Sequence, residues 1–438
     1  MNTDCYQVTP VKQINPFTVT VPGSKSITNR AMLLAAMSDG DCLLQNALFS
    51  SDSRALLAAL KCLGIACSED EMTKEIRITG CGGNLPNNSA TVNAMSAGTA
   101  ARFLTALFAF SDGTYTLDAS EQMKKRPMAP LIDALTSIGI TVTPLEEEGH
   151  LPLRINGSRS RFTSAPSLTV SIDRSSQFLS ALMMTGALLP QGLTVTAVGA
   201  RTAMSYVHIT ERMMKEFGIA PTLVSSEPGK TTYHIPGGSS YQSQTYAIEP
   251  DISGACYFYA AAVLLGTSVT VTGVHLDSMQ GDLRFIKALE QLGCTLTDTT
   301  DGICITGPAD GHYPGLDITM SDFSDQTMTM AVLALFADSP THIRGVEHIR
   351  GQECDRMTAT ITEIRRMGGD AREDEDGTGI LITPAPLHGA AIETYDDHRM
   401  AMAFALAGLR VPDITISNPS CCKKTFENYF DLFSRYFR

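Results

Sequence analysis

The sequence predicts an α/β protein of two domains, and three observations carry that prediction. Six times, at intervals of roughly 75 residues, a short polar or charged cluster opens directly into a run of small and apolar residues with helical spacing. Between these runs, strand-like segments alternate with a second set of amphipathic helices. The chain's 438 residues also exceed what one hydrophobic core usually supports.

The six apolar helices open at Gly23 (GSKSITNRAMLLAAM), Ser96 (SAGTAARFLTALFAF), Asp173 (DRSSQFLSALMMTGA), Pro250 (PDISGACYFYAAAVL), Asp322 (DFSDQTMTMAVLALF) and Tyr395 (YDDHRMAMAFALAGL). After each come a Gly or Asp turn and a strand, as in YTLDAS, GLTVTAVG, TSVTVTGV, THIRGVEHI and DITISN. A second helix follows and usually stops at Gly: SRALLAALKCLG, RPMAPLIDALTSIG, YVHITERMMKEFG, DLRFIKALEQLG, CDRMTATITEIRRMG and KTFENYFDLFSRYF. The sixth unit ends there, so its missing strands are expected from the amino-terminal segment QVTPVKQINPFTVTV. On this reading residues 1–21 plus 248–438 form the domain that holds both termini and units four to six. Residues 22–247 form an inserted domain of units one to three, and the active site is expected in the cleft between the two.

Composition narrows the function. Apolar residues make up 43% and charged residues 18%, ordinary for a soluble globular protein. A net charge of −13 argues against general binding to nucleic acid or to an anionic membrane surface. No stretch reaches the roughly 18 uninterrupted apolar residues of a membrane span, and MNTDCYQ has neither a basic start nor a hydrophobic signal core, so a cytoplasmic protein is expected. The eleven cysteines are scattered, with no Cys-x-x-Cys pair and no His at zinc spacing; they read as buried reduced thiols, and neither a metal nor another cofactor is expected. The acidic runs Glu146-Glu147-Glu148 and Glu373-Asp374-Glu375-Asp376 read as solvated loops.

The helix starts point to a site. Helix amino termini offer unpaired N–H groups and the positive end of a dipole, which favours anions. Here they also carry cations: Lys25 and Arg30 in unit one, Arg126 opening the second helix of unit two, Arg356 that of unit five, and Arg399 and Lys424 in unit six. Cations repeated at matching positions in an acidic chain point to an acidic ligand.

These residues carry a resemblance. Pro22-Gly23-Ser24-Lys25-Ser26 with Arg30, Ala97-Gly98-Thr99-Ala100-Ala101-Arg102, Arg126-Pro127-Met128, Ser175-Ser176-Gln177-Phe178, Glu353-Cys354-Asp355-Arg356, Asp396-Asp397-His398-Arg399-Met400-Ala401-Met402 and Lys424-Thr425-Phe426 resemble, in order, the motifs of the 5-enolpyruvylshikimate-3-phosphate (EPSP) synthase family. The resemblance covers essentially the whole chain. It implies a two-domain inverse α/β barrel-like fold of six βαβαββ repeats, and a shikimate-pathway enzyme of aromatic amino acid biosynthesis. The implied reaction moves the enolpyruvyl group of phosphoenolpyruvate to the 5-hydroxyl of shikimate 3-phosphate by addition and elimination, releasing phosphate.

Matched position by position, the resemblance implies that Lys25, Ser26, Arg30, Ser175, Ser176, Gln177, Tyr206, Asp325 and Gln352 hold shikimate 3-phosphate. Lys25, Gly98, Arg126, Gln177, Arg356, Arg399 and Lys424 are implied for phosphoenolpyruvate. Asp325 is the expected base for the 5-hydroxyl and Glu353 the group that protonates the methylene carbon. Lys25 is expected at the bridging oxygen and His398 near the phosphate. The two small-molecule substrates are the expected partners of a monomer, and small Gly98 leaves room for inhibitors such as glyphosate.

Three positions depart from the commoner family pattern: Gln352 where Lys is frequent, His348 where Asn is frequent, and Ala203 where a Ser often touches the shikimate phosphate, with Ser205 two residues on as a substitute. Two rivals share the architecture. UDP-N-acetylglucosamine enolpyruvyl transferase typically has Lys-Asn where this chain has Lys25-Ser26, and a reactive loop Cys that the stretch near Met123 lacks. A non-catalytic phosphometabolite-binding homologue would have little use for Lys25, Asp325, Glu353 and Arg399 together.

Overall fold

A computed structural model describes residues 5–12, 14–199 and 204–437. Ala203 lies outside the described residues. The chain divides into two compact units, Met1–Pro22 with Glu249–Arg438, and Gly23–Ile248.

Unit two of the sequence shows the plan that the others repeat. Strand Ser89–Asn93 leads to helix Gly98–Ala109 and on to strand Gly113–Asp118, which pairs parallel with the first. Helix Ala129–Ser137 then leads to Thr141–Pro144 and Leu153–Gly157, and the last strand inserts antiparallel between its predecessor and Gly113–Asp118. The same order, first-second-fourth-third, recurs in the sheets built from Ser167–Ser171, Leu193–Val198, Lys230–Ile235 and Thr222–Glu227, and from Asp317–Thr319, Thr341–Arg344, Ile380–Thr383 and Asp370–Glu373. Alternation sets the buried face: Tyr115, Leu117, Leu153 and Ile155 point inward, and Thr116 and Arg154 between them do not.

The remaining sheets borrow a strand. Cys5–Gln7 pairs antiparallel with Thr415–Ser417 and completes the sixth sheet, whereas Phe17–Val19 pairs parallel with Ser268–Val271 and begins the fourth. The expectation that the whole amino-terminal segment serves unit six is therefore corrected. Phe17–Val19 is three residues long, too short for alternation to reveal its partner. Thr245–Ala247 does the same for unit one, lying parallel to Asp41–Gln45.

Helices that are apolar all round must be buried. In the unit holding both termini, Ile252–Leu265, Thr327–Ala334 and His398–Ala407 pack on one another at the centre of the core. After the second strand of four repeats the chain turns sharply at a left-handed residue: Asn46, Gly273, Gly345 or Asn418. Asn and Gly adopt that conformation most readily, and the turn delivers the second helix to the same end of each repeat.

Two further expectations change. The fifth apolar helix does not run straight from Asp322, because a 3-10 turn over Ser321–Gln326 kinks at Phe323, whose ring is buried, and the α-helix starts at Thr327. All eleven cysteines are free thiols, but only Cys42, Cys256, Cys294 and Cys422 are buried, while Cys5 and Cys62 are exposed. No helix among the described residues is long and apolar enough to cross a membrane.

Candidate active site

In the unit Gly23–Ile248, helices Lys25–Ala36 and Gly98–Ala109 begin with no side-chain cap among the described residues, and the N-cap residue Ser176 of helix Gln177–Gly186 supplies none. Such starts retain their attraction for anions. Lys25 Nζ lies 3.3 Å from Oδ2 of buried Asp52, at the start of helix Ser51–Cys62, which orients the ammonium. Asp52 carried no signal in the sequence beyond its place in a capping turn.

Arg30 is fully buried. Its Nε donates to Thr210 Oγ1 at 2.8 Å, Nη1 to the Ser26 carbonyl at 3.0 Å, and Nη2 to Ser180 Oγ at 3.3 Å and the Tyr206 carbonyl at 3.1 Å. Every partner is neutral. Burial lowers its pKa to about 10, opposed by the Tyr206 hydroxyl, so at neutral pH the guanidinium keeps a positive charge with no carboxylate bonded to it. Arg30 therefore ties together the helices bearing Ser26, Ser180 and Tyr206 and leaves them a positive field.

Gly98 sits against two guanidinium groups. A Cβ there would lie 2.6 Å from Arg102 Nη1 and 2.7 Å from Arg126 Nη1. Arg102, quoted in the sequence motif without a role, donates to Gln177 Oε1 at 2.9 Å and covers the Phe178 ring. Ser175 Oγ accepts from the Gln177 N–H at 3.2 Å. Lys25, Ser26, Ser175, Gln177, Tyr206 and Arg126 are half-buried, and Ser176 is buried.

In the other unit the centre is Arg356, which is buried and opens helix Arg356–Arg366. Its Nε donates to Asp397 Oδ2 at 2.7 Å, Nη1 to Asp325 Oδ1 at 2.9 Å, and Nη2 to Glu353 Oε2 at 2.8 Å and Asp397 Oδ1 at 3.3 Å. Burial lowers the pKa of Arg356, but Asp397, Glu353 and Asp325 outweigh it and raise the value beyond the ordinary arginine range. Arg399 Nη2 reaches Asp325 Oδ2 at 2.9 Å, and Lys424 Nζ reaches Glu353 Oε1 at 3.3 Å. Three cations thus interlock with three carboxylates, drawn from the fifth and sixth repeats.

Local structure explains each placement. Asp325 rides the 3-10 turn before Thr327, and Asp397 caps its own helix by accepting from the Arg399 N–H at 2.9 Å. Lys424 ends the 3-10 turn Pro419–Lys424, which left-handed Asn418 initiates. His398 is buried, with Nδ1 3.6 Å from Asp397 Oδ1. Gln352 is half-buried after the 3-10 turn Glu347–Gly351, and His348 Nε2 bonds Ser324 Oγ at 2.7 Å, bracing the residue before Asp325.

Sequence reasoning missed the neighbours that hold this cluster. Asp397, the most deeply placed carboxylate, appeared only as part of a motif. Asp282 is buried; burial and then the Asp325 charge push its pKa up, and it accepts from Ser253 Oγ and, at 3.1 Å, from Gln326 Nε2. The Tyr257 hydroxyl is buried with no hydrogen-bond partner among the described residues, and burial pushes its pKa up while Arg399 and Arg356 oppose the shift. A Tyr inside an apolar run reads as packing, so no sequence signal marked it.

The model of the family described as EPSP synthase (3-phosphoshikimate 1-carboxyvinyltransferase) matches residues 8–433. The chain belongs to the EPSP synthase family. It is 42% identical over 416 residues, 95% of each chain, to the 3-phosphoshikimate 1-carboxyvinyltransferase of Nostoc sp. PCC 7120. It is 40% identical over 433 residues, 97% of each chain, to the enzyme of that name from Yersinia pseudotuberculosis. Among solved structures, an EPSP synthase from Acinetobacter baumannii superposes with a TM-score of 0.81 at 23% identity, covering 99% of this chain and 98% of that one. The enolpyruvyl transferase NikO from Streptomyces tendae gives 0.76 at 18% identity, over 99% and 97%. The α/β fold is thus that of the EPSP synthases.

Proposed function

We infer that this EPSP synthase family member transfers the enolpyruvyl group of phosphoenolpyruvate to the 5-hydroxyl of shikimate 3-phosphate and releases phosphate, as a cytoplasmic enzyme. The observation that carries the reading is the pairing of acid–base carboxylates with fixed cations: Asp325 and Glu353 share Arg356 and are flanked by Arg399 and Lys424.

The chemistry needs a base at a hydroxyl, an acid at the vinyl carbon, and cations where phosphate departs. Asp325 is the base: with both oxygens bonded to guanidinium groups in the free protein, its carboxylate is ready to accept a proton once substrate anions draw Arg399 away. Glu353, acting in its protonated form, delivers its proton to the methylene carbon and then takes one back from the methyl group, while the proton gained by Asp325 leaves with the phosphate. Arg126, Arg356, Arg399 and Lys424 bind phosphoenolpyruvate with the backbone at Gly98, and Lys25, held by Asp52, stabilises the bridging oxygen with His398 near the phosphate. Ser26, Arg30, Ser175, Ser176, Gln177, Tyr206 and Gln352 hold shikimate 3-phosphate.

Because the tetrahedral intermediate carries a freely rotating methyl group, turnover in D2O should place deuterium in the vinylic methylene of the product. Proton NMR of that product is the test. A methylene without deuterium would contradict protonation of the carbon.

Gly98→Ala supplies a second check. The new methyl group would press on the guanidinium ends of the Arg102 and Arg126 side chains, which can shift without unfolding the helix. The expected result is a raised KM for phosphoenolpyruvate and weakened inhibition by glyphosate at a nearly unchanged melting temperature. Steady-state kinetics read both, and unaltered inhibition would remove the steric role of Gly98.

A further inference from the structure

Immediately before Asp397, two consecutive residues that are not glycine, Tyr395 (φ 54°) and Asp396 (φ 55°), adopt the left-handed conformation. Side-chain-bearing residues resist that conformation, and it persists only where the surroundings enforce it.

The surroundings here converge on Glu363. It is fully buried on helix Arg356–Arg366, about two helical turns beyond Arg356. Its Oε1 accepts from the Tyr395 hydroxyl at 2.7 Å and its Oε2 from the Glu393 N–H at 3.1 Å, and Arg366 Nε balances its charge at 2.9 Å. Glu393 Oε1 in turn accepts from the N–H groups of Thr394 and Tyr395, each at 3.1 Å. Asn418 Nδ2 donates to Asp396 Oδ1 at 3.1 Å. Burial, reinforced by Glu363, raises the Tyr395 pKa to about 12, so the hydroxyl remains a donor at neutral pH. One helix therefore grips the segment twice: Glu363 holds the turn, and Arg356 holds Asp397 at 2.7 Å.

We propose that Glu363 and Tyr395 are positioning residues, a clamp that forces the Tyr395–Asp396 turn into its left-handed form and thereby sets where Asp397, His398 and Arg399 stand for catalysis. The proposal rests on the reading that His398 and Arg399 act on phosphoenolpyruvate and its phosphate.

The test compares kcat, both KM values and melting temperatures for Tyr395→Phe, Glu363→Gln, the double variant, Tyr395→Phe combined with Asp396→Gly, and Arg399→Gln. Displacement of site groups by a fraction of an ångström to one ångström should lower kcat of Tyr395→Phe roughly 10- to 100-fold. KM for shikimate 3-phosphate should hold, and so should the melting temperature. Glu363→Gln, whose amide offers one acceptor oxygen in place of two, should behave alike, and the double variant should be no worse than the poorer single. Glycine adopts the left-handed form without a clamp, so Asp396→Gly should restore most of the kcat lost in Tyr395→Phe.

Wild-type kcat in Tyr395→Phe, or no restoration by Asp396→Gly, would overturn the clamp while leaving the enzymatic reading intact, provided that Arg399→Gln is inactive. Full activity in Arg399→Gln would overturn the reading of the site, and the clamp with it.

Discussion

Arg356→Met should cost about 3–5 kcal/mol of stability and abolish turnover, the effect of leaving buried charges without their partner. Four of the five guanidinium N–H groups of Arg356 are engaged: Nε and one Nη2 proton with Asp397, one Nη1 proton with Asp325, and the second Nη2 proton with Glu353. Methionine fills similar volume but satisfies none of these oxygens, so the three carboxylates lose their shared partner and keep the ion pairs of Asp325 with Arg399 and of Glu353 with Lys424. The pH dependence has a definite sign. Carboxylates left behind in the folded variant bind protons more tightly than they do unfolded, so the folded state holds more protons and loses stability as pH rises. Thermal melts at pH 5 and pH 8 should therefore show the larger deficit at pH 8. An equal deficit at both values would mean that the carboxylates are not bound together through Arg356.

Asp325→Asn isolates chemistry from folding. The amide keeps the shape and one acceptor oxygen, yet it cannot take a proton from the 5-hydroxyl, and its NH2 faces Arg399 or Arg356 as a fellow donor. Loss of a general base should lower kcat by about 10²–10⁴-fold. Asp325 remains 19% exposed at its side chain, so the accompanying loss of stability should be far smaller than for Arg356→Met. Stopped or continuous phosphate assays on the purified variant read the first effect and melting curves the second. A variant that retains wild-type kcat would move the base to another residue.

The contrast between these two residues shows what the sequence made legible. Helix starts were readable because polar residues next to an apolar stripe break a strong period, and the cations at those starts were readable because they recur. Arg356 could be recognised as a cation at a helix start, but not as the hub. Its partners Asp325 and Asp397 come from separate repeats and meet it only through the fold. The same holds for Arg30, whose hydroxyl and carbonyl partners at Ser180, Tyr206 and Thr210 lie far along the chain. Tyr257 and Glu363 were invisible for another reason: each sits in a helix where its residue type is ordinary, and only burial beside specific neighbours gives it meaning. The strand exchange at Phe17–Val19 and Thr245–Ala247 escaped because three-residue strands carry no period.

The most direct measurement is phosphate release from phosphoenolpyruvate by the wild-type chain, with shikimate 3-phosphate, with UDP-N-acetylglucosamine, and with neither. Release only in the presence of shikimate 3-phosphate is the predicted result. Release with the nucleotide sugar, or no release from folded protein that still binds shikimate 3-phosphate, would contradict it.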